Sequence, residues 1–268
     1  MHEFCRRRNR INVQELTILT FIPAWKRRHI TRLCFDGLKR VQAAAPKALT
    51  FHTLITVSND EDEALAHKYG FDTCRTDNKP VGRKFNTGML HALENYTFDY
   101  AMQLNSDDIL STDFWKLFEI PLTNTMHFFG VDRVYFYDSE TGDIREFLYS
   151  LGCGIRFIRR DVIEESGFVD DCFELWPDEA NAGLDMKSED NINQRGNYGQ
   201  FLIRNKAVQR PVVVDIKSAI NIHPFNEFKH AKRLSDAHRA DVLRRFPELK
   251  ELEYAKHTKE TASKKLHG

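Results

Sequence analysis

No apolar stretch in this sequence approaches the roughly 20 residues that a bilayer-spanning helix requires, so nothing in it reads as a transmembrane segment. The five cysteines (Cys5, Cys34, Cys74, Cys153, Cys172) are odd in number, scattered and without a CxxC pair, which excludes a disulfide framework and a zinc knuckle. A reducing cytoplasm, the host's for a viral protein, is the expected compartment. Internal repeats and low-complexity tracts are missing as well. Arg6-Arg7-Arg8 followed by Leu16 to Trp25 has the outline of a signal peptide. Gln14, Glu15 and two threonines interrupt it, Lys26-Arg27-Arg28 closes it, and no small-residue cleavage site follows. That segment reads as a first strand.

Net charge is also lacking, with 39 basic against 39 acidic side chains, but the balance is uneven: residues 1–50 carry +8, residues 227–268 carry +4, and the middle −12. Basic ends around an acidic middle suit a polyanionic acceptor such as nucleic acid, held by the ends, and a metal held by the middle. Solvated tails are the competing explanation. What is present is an ordinary globular composition, 41% hydrophobic and 29% charged over 268 residues, enough for one large domain with a tail.

Apolar periodicity alternates between strand and helix for most of the length, the pattern of a layered α/β fold. Leu16 to Ile22 reads as a strand, Ile30 to Val41 as an amphipathic helix, and Phe51 to Val57 as a second strand closed by Ser58-Asn59-Asp60. A short helix over Glu61 to Lys68 stops at Tyr69-Gly70. Phe71 to Arg75 is a brief strand, Arg83 to Glu94 a helix, and Tyr100 to Leu104 a buried strand. Phe128 to Tyr137 and Ile144 to Tyr149 form a hairpin, Cys153 to Ile158 is a strand, Arg159 to Ser166 a helix, and Val212 to Ile216 the last strand. Beyond about Phe225 the pattern is helical to about residue 254.

Asn105-Ser106-Asp107-Asp108 stands where the buried run Tyr100 to Leu104 stops. Ligands of open α/β sheets bind outside the carboxyl ends of the strands, and two hard oxygen donors there suit Mg2+ or Mn2+ holding a phosphate. A helix N-cap is the alternative for the same residues.

Four features in order, Pro23-Ala24-Trp25-Lys26-Arg27, Ser58-Asn59-Asp60, Gly82-Arg83-Lys84-Phe85-Asn86-Thr87-Gly88 and Asn105-Ser106-Asp107-Asp108, resemble the family 2 glycosyltransferases. The resemblance covers residues 16 to about 226, and the run Val214-Asp215-Ile216-Lys217-Ser218 with Asn221-Ile222 resembles compact phage-encoded members of that kind. It implies an α/β, GT-A type Rossmann-like mixed sheet flanked by helices, with a helical C-terminal tail. The domain plan it implies is a basic arm over 1–15, the catalytic domain over 16–226 and a helical, partly flexible extension over 227–268.

The resemblance further implies a metal-dependent, inverting transfer from a nucleotide-diphospho-sugar, a UDP-sugar by preference, with Mn2+ or Mg2+ on Asp107, Asp108 and His223. Asn105 replaces the first acid of the family's DxD-like signature, bringing hydrogen bonds but no charge. Donor contacts are implied for Pro23, Asn59, Asp60, Arg83, Lys84, Asn86, Asn105 and Gly154. The general base is implied at Asp190, with Glu189 and Asp185 as rivals: Asp185 and Glu189 share a helix face and Asp190 points about a quarter turn away. Trp176, beside Pro177-Asp178, is expected on the acceptor side, whereas Trp25 and Trp115 read as core. A hydroxymethylated base in DNA and a cell-surface glycan precursor are the two acceptors considered. The alternatives in activity are a catalytically weak nucleotide-sugar-binding protein and a sugar nucleotidyltransferase. The latter wants a glycine-rich phosphate loop after the first strand, which residues 23–27 lack.

Overall fold

The computed structural model describes residues 15–123, 126–148, 155–170, 172–196, 198, 200–203, 212–219, 221, 225–228 and 230–254. Alternating strands and helices open the chain: β1 (Leu16–Pro23), α1 (Arg28–Ala43), β2 (Leu49–Val57), α2 (Asp60–Lys68), β3 (Asp72–Arg75), α3 (Val81–Asn95) and β4 (Tyr100–Leu104). β1 pairs in parallel with β2 on one side and with β4 on the other, and β2 pairs in parallel with β3. The second half adds β6 (Phe128–Val131), β9 (Ile155–Arg159) and β12 (Gln200–Ile203), giving a seven-stranded mixed sheet in the order β12-β6-β9-β4-β1-β2-β3, with β9 antiparallel to both neighbours.

Two-residue periodicity explains why helices cover both faces of that sheet. Ile18 and Ile22 of β1 pack with Cys34, Phe35 and Leu38 of α1 and with α4 (Phe114–Thr123), while Leu19 and Phe21 pack with Phe85, Met89 and Ala92 of α3. α5 (Arg160–Gly167) and α6 (Leu184–Arg195) join the α3 side through Val162, Ile163, Leu184 and Ile192. Gly88 lets α3 lie close on the sheet, because a Cβ there would overlap Thr56 and the Phe21 ring.

A second, five-stranded sheet runs β14-β8-β7-β13-β5, from β14 (Lys232–Arg233), β8 (Ile144–Leu148), β7 (Arg133–Asp138), β13 (Val213–Lys217) and β5 (Asp108–Leu110). The run Phe128 to Tyr137, expected as one strand, is therefore two. It bends at Asp132 and passes from the first sheet to the second. The Asp107-Asp108 segment caps no helix: β5 begins at Asp108 and pairs antiparallel with β13, and α4 starts only at Phe114. The expected strand over Cys153 to Ile158 is described from Ile155, its first two residues lying outside the described residues. β10 (Phe168–Val169) and β11 (Cys172–Phe173) make a small separate hairpin.

C-terminal residues return to the core. α7 (Asp236–Arg245) and the helical residues 249–254 place Val242, Phe246 and Leu249 against Ile30 and Leu33 of α1 and Val214 and Ile216 of β13. Glu248 accepts from Arg40 at 2.7 Å, and Arg245 pairs with Asp113. Among the described residues no helix is long and apolar enough to cross a membrane.

Candidate functional site

The strand order reverses between β1 and β4, the point where an open α/β sheet forms a crevice at its carboxyl edge. β1 enters this crevice through residues 24–27, where Ala24 N–H still bonds Thr56 O at 2.9 Å. Lys26 and Arg27 then adopt φ of 54° and 38°, left-handed backbone that costs a non-glycine residue energy. Two contacts hold the turn. Asp62 Oδ2 accepts from Lys26 N–H at 2.9 Å, and Arg27 C=O accepts from the N–H groups of Ile30 and Thr31 at the start of α1. The result swings the Arg27 side chain into the crevice, where Nη1 donates to Asp107 Oδ2 at 2.6 Å.

Asp107 is the centre of the site. Its Oδ2 also accepts from Asn221 Nδ2 at 2.7 Å, and its C=O accepts from Ile216 N–H at 2.9 Å, so β13 and the residues after it close the crevice from the second sheet. Burial pushes the Asp107 carboxyl up, but Arg27 and Lys217 and the bonds from Arg27 and Asn221 outweigh it and hold the group below its ordinary range. Asp107 is thus an ionised carboxylate only 5% exposed.

Asp108 lies outside the crevice. The expectation placed it beside Asp107 as a second cation ligand, but strand alternation from β5 onward sends it inward, fully buried, opposite Asp215 of β13. Its Oδ2 accepts from Asn105 N–H at 3.1 Å, and no described residue bonds its buried Oδ1. Burial first, then Asp215 and Asp107, drive its pKa well above the carboxylate range. Asp215 pairs with Lys217 Nζ at 2.6 Å, and burial raises its pKa to about 6 against the opposing pull of Lys217. Lys217 and Asp215 were given no site role from sequence.

The expected donor-side residues occupy several roles. Pro23 ends β1, half-buried at the crevice edge. Lys84 is 2% exposed and its Nζ donates to Ala24 O at 2.5 Å, Ser58 Oγ at 2.9 Å and Asn78 Oδ1 at 3.3 Å, tying together the segments after β1 and β2 and the loop before α3. Burial lowers its pKa to about 8. Asn59 caps α2 through Asp62 N–H at 2.8 Å. Asp60 is exposed and paired with Arg75, and Arg83 is exposed and paired with Asp178 and Glu179. Asn86 is buried, bonding Trp176 N–H and C=O. Gly154 and His223 lie outside the described residues.

Two tryptophans exchange their expected places. Trp176 is wholly buried, packed against Phe85 and Phe21, because α3 and the 174–180 segment enclose it. Trp25, expected in the core, is 36% exposed at the crevice mouth, with Lys26 Nζ 4.8 Å and Lys84 Nζ 5.9 Å from its ring.

On α6, Asp185 and Glu189 face the sheet while Asp190 is exposed on the outer side. Asp185 Oδ1 accepts from Gln103 Nε2 at 3.3 Å, next to the carboxyl end of β4, and lies 3.6 Å from the buried Arg156. Glu189 is 7% exposed, and burial raises its pKa despite Arg156.

A divalent ion at such an edge is held by one or two carboxylates together with the phosphate oxygens of its ligand. Among the described residues no group of three His, Cys, Asp or Glu side chains is placed to hold one. Asn105 is neutral, Asp108 is enclosed, and Arg27 already rests on Asp107 as its counter-charge. With His223 outside the described residues, the donor set among the described residues does not fit a resident Mg2+ or Mn2+.

No family model and no curated protein matches the sequence. Among solved structures, Staphylococcus aureus TarS superposes with a TM-score of 0.50 at 12% identity, over 76% of this chain and 37% of that one. The 1–349 portion of TarS in complex with UDP-GlcNAc gives 0.48 at 12% identity, over 86% and 71%. The mannosyltransferase PcManGT of Pyrobaculum calidifontis, in complex with GDP-Man and Mn2+, gives 0.49 at 13% identity, over 89% and 68%. The chain spans 60% of another TarS 1–349 structure, so it matches only part of these proteins. The likeness establishes the fold, which is of the GT-A type.

Proposed function

We propose that the protein is a glycosyltransferase that moves a sugar from a nucleotide-diphospho-sugar to a hydroxyl acceptor, inverting the anomeric carbon. The observation that carries the reading is the buried, ionised Asp107 bonded to Arg27 at the carboxyl edge between β1 and β4. The GT-A fold supports it by placing that edge where such sheets take nucleotides. The α1 N-terminus opens at the same point with no acidic residue in its first turn and no side-chain cap, a favourable end for phosphate.

Chemistry follows from charge. As the bond to the sugar breaks, negative charge grows on the departing diphosphate, and a fixed cation beside it lowers the barrier. The acceptor hydroxyl attacks from the opposite face and gives its proton to an acid of α6. We assign that role to Asp185, which is partly open and points at the end of β4, rather than to Asp190 on the outer face. Trp25 supplies an exposed ring for the donor base.

The acceptor we favour is a hydroxyl on a nucleic-acid base. Arg28, His29, Arg32 and Lys68, with Ala64 and Leu65, line a groove of about 460 Å3 that begins one residue beyond Arg27, where Arg28 pairs with Glu61 and Arg32 with Asp36 and Glu251. Duplex binding that weakens as salt rises is the expected behaviour; absent or salt-independent binding moves the acceptor to a surface-glycan precursor.

The test is release of free nucleoside diphosphate from a panel of UDP-, GDP- and dTDP-sugars. One donor is expected to turn over, with the activity lost in Asp107→Asn, lowered at least about 100-fold in Asp185→Asn and little changed in Asp190→Asn. A panel in which no donor is either bound or cleaved overturns the proposal.

A further inference from the structure

We propose that Asp107 holds Arg27 rather than a metal ion, and that the Arg27 guanidinium is the group that receives the donor's diphosphate. The inference rests on the glycosyltransferase reading above and assigns its diphosphate subsite to protein charge alone.

Three features of the site lead there. First, the guanidinium is built into position. Left-handed φ at Lys26 and Arg27 is unfavourable for side chains of this size, yet the turn is secured by Asp62 Oδ2 on the Lys26 N–H and by two helix bonds to Arg27 C=O. A sequence that tolerates two such residues in succession gains from them the entry of Arg27 into the crevice.

Second, the guanidinium is only partly used. Of its five N–H donors, Nη1 bonds Asp107 Oδ2 at 2.6 Å and Nη2 makes a long 3.4 Å contact with Ser106 Oγ. No described residue bonds the remaining donors, and a guanidinium presents such donors as a planar fork that suits two phosphate oxygens. The side chain is 15% exposed, so the fork is reachable.

Third, the carboxylates are arranged for an arginine. Among the described residues the side-chain donors that reach Asp107, from Arg27 and Asn221, converge on Oδ2. Asn105 adds no charge, and Asp108 turns into the sheet. Behind Asp107, the Lys217–Asp215 pair at 2.6 Å adds a second ion pair to the same cluster. The first turn of α1 carries no acid, and Arg28, which follows Arg27, lies 3.7 Å from Glu61 of α2, so the helix start beside the guanidinium is open to a diphosphate.

Titrating UDP, GDP and dTDP into the full chain by calorimetry, in EDTA and then in Mn2+, tests this. One nucleotide is expected to bind with the same affinity in both. Arg27→Lys, which keeps the charge and loses the fork, should weaken it about tenfold, and Arg27→Gln should weaken it further. Asp107→Asn should also weaken it, by releasing Arg27.

Mn2+ alone, followed by its paramagnetic resonance signal, is expected to stay free with the unmodified protein. Because Arg27→Gln leaves Asp107 buried without its partner and can unfold, the double variant Arg27→Gln/Asp107→Asn serves beside it: folded by urea titration and unable to bind the nucleotide.

Binding that requires Mn2+ and survives Arg27→Gln overturns the inference and leaves the transferase reading in place. Tight Mn2+ binding that Asp107→Asn abolishes does the same. Failure of every nucleotide under both conditions overturns both.

Discussion

Removing one member of the Arg27–Asp107 pair should cost far more stability than removing both. The side chains are 15% and 8% exposed and 2.6 Å apart, so each stands largely outside water with the other as main partner. Breaking such a buried pair from one side leaves an uncompensated charge at a cost of about 3–5 kcal/mol, whereas replacing both members is often close to neutral. In Arg27→Gln the carboxylate keeps Asn221 and the more distant Lys217, which places the loss near 3 kcal/mol, the low end of that range. For a domain of this size that corresponds to a fall in melting temperature of about 6–12 °C. Arg27→Gln/Asp107→Asn removes both charges and should lie within about 1 kcal/mol of the unmodified protein. Urea unfolding of the four proteins of the cycle at pH 7 measures the coupling directly. A single variant that loses less than about 1 kcal/mol, or a double variant whose loss equals the sum of the two singles, would refute the reasoning that the pair is desolvated and mutually dependent.

Three other outcomes are expected. Burial, Asp215 and Asp107 raise the folded pKa of Asp108, so Asp108→Asn, which puts a neutral amide in its place, should differ from the parent in how its stability depends on pH. An acid of this kind contributes its full stability below the unfolded carboxyl pKa and loses it as pH rises, so denaturation at pH 4, 6 and 8 should show the variant gaining steadily on the parent; a constant difference contradicts the shift. Gly88→Ala pushes a methyl group into Thr56 and the Phe21 ring and should cost about 1–3 kcal/mol by overpacking, read as a lower urea midpoint with unchanged slope; a neutral result would place α3 farther from the sheet. Trp25→Phe should leave stability within about 0.5 kcal/mol and abolish the fluorescence quenching caused by nucleotide, since Trp115 and Trp176 are buried; quenching that persists would remove Trp25 from the donor site.

The first half of the fold was legible because its periodicities are strong. Ile30, Leu33, Cys34, Leu38 and Val41 recur at helical spacing and all are buried on α1, and β1, β2 and β4 are buried on both faces over most of their length, as central strands are. Asp107 was legible for the same reason, as the first charged residue past a buried strand. Arg27 was not. A left-handed turn normally announces itself through glycine or asparagine, and Lys26-Arg27 carries no such signal. The separation of Asp107 from Asp108 was available in principle, since neighbours on a strand point to opposite faces, but only once β5 is recognised in three residues. Lys217 and Asn221 reach the site through pairing of β13 with β5 and β7, contacts about 100 residues apart that no local pattern encodes. Trp176 misleads because Pro177 and Asp178 mark it as loop, while its burial comes from α3 passing over that loop.

The position of a bound nucleoside diphosphate tests the central claim most directly. A crystal structure of the full chain with the nucleotide that calorimetry selects should place the diphosphate between the Arg27 guanidinium and the start of α1, with the base against Trp25 and Asp107 still bonded to Arg27. A nucleotide bound elsewhere on the chain, or a diphosphate that leaves Arg27 untouched, would contradict the account.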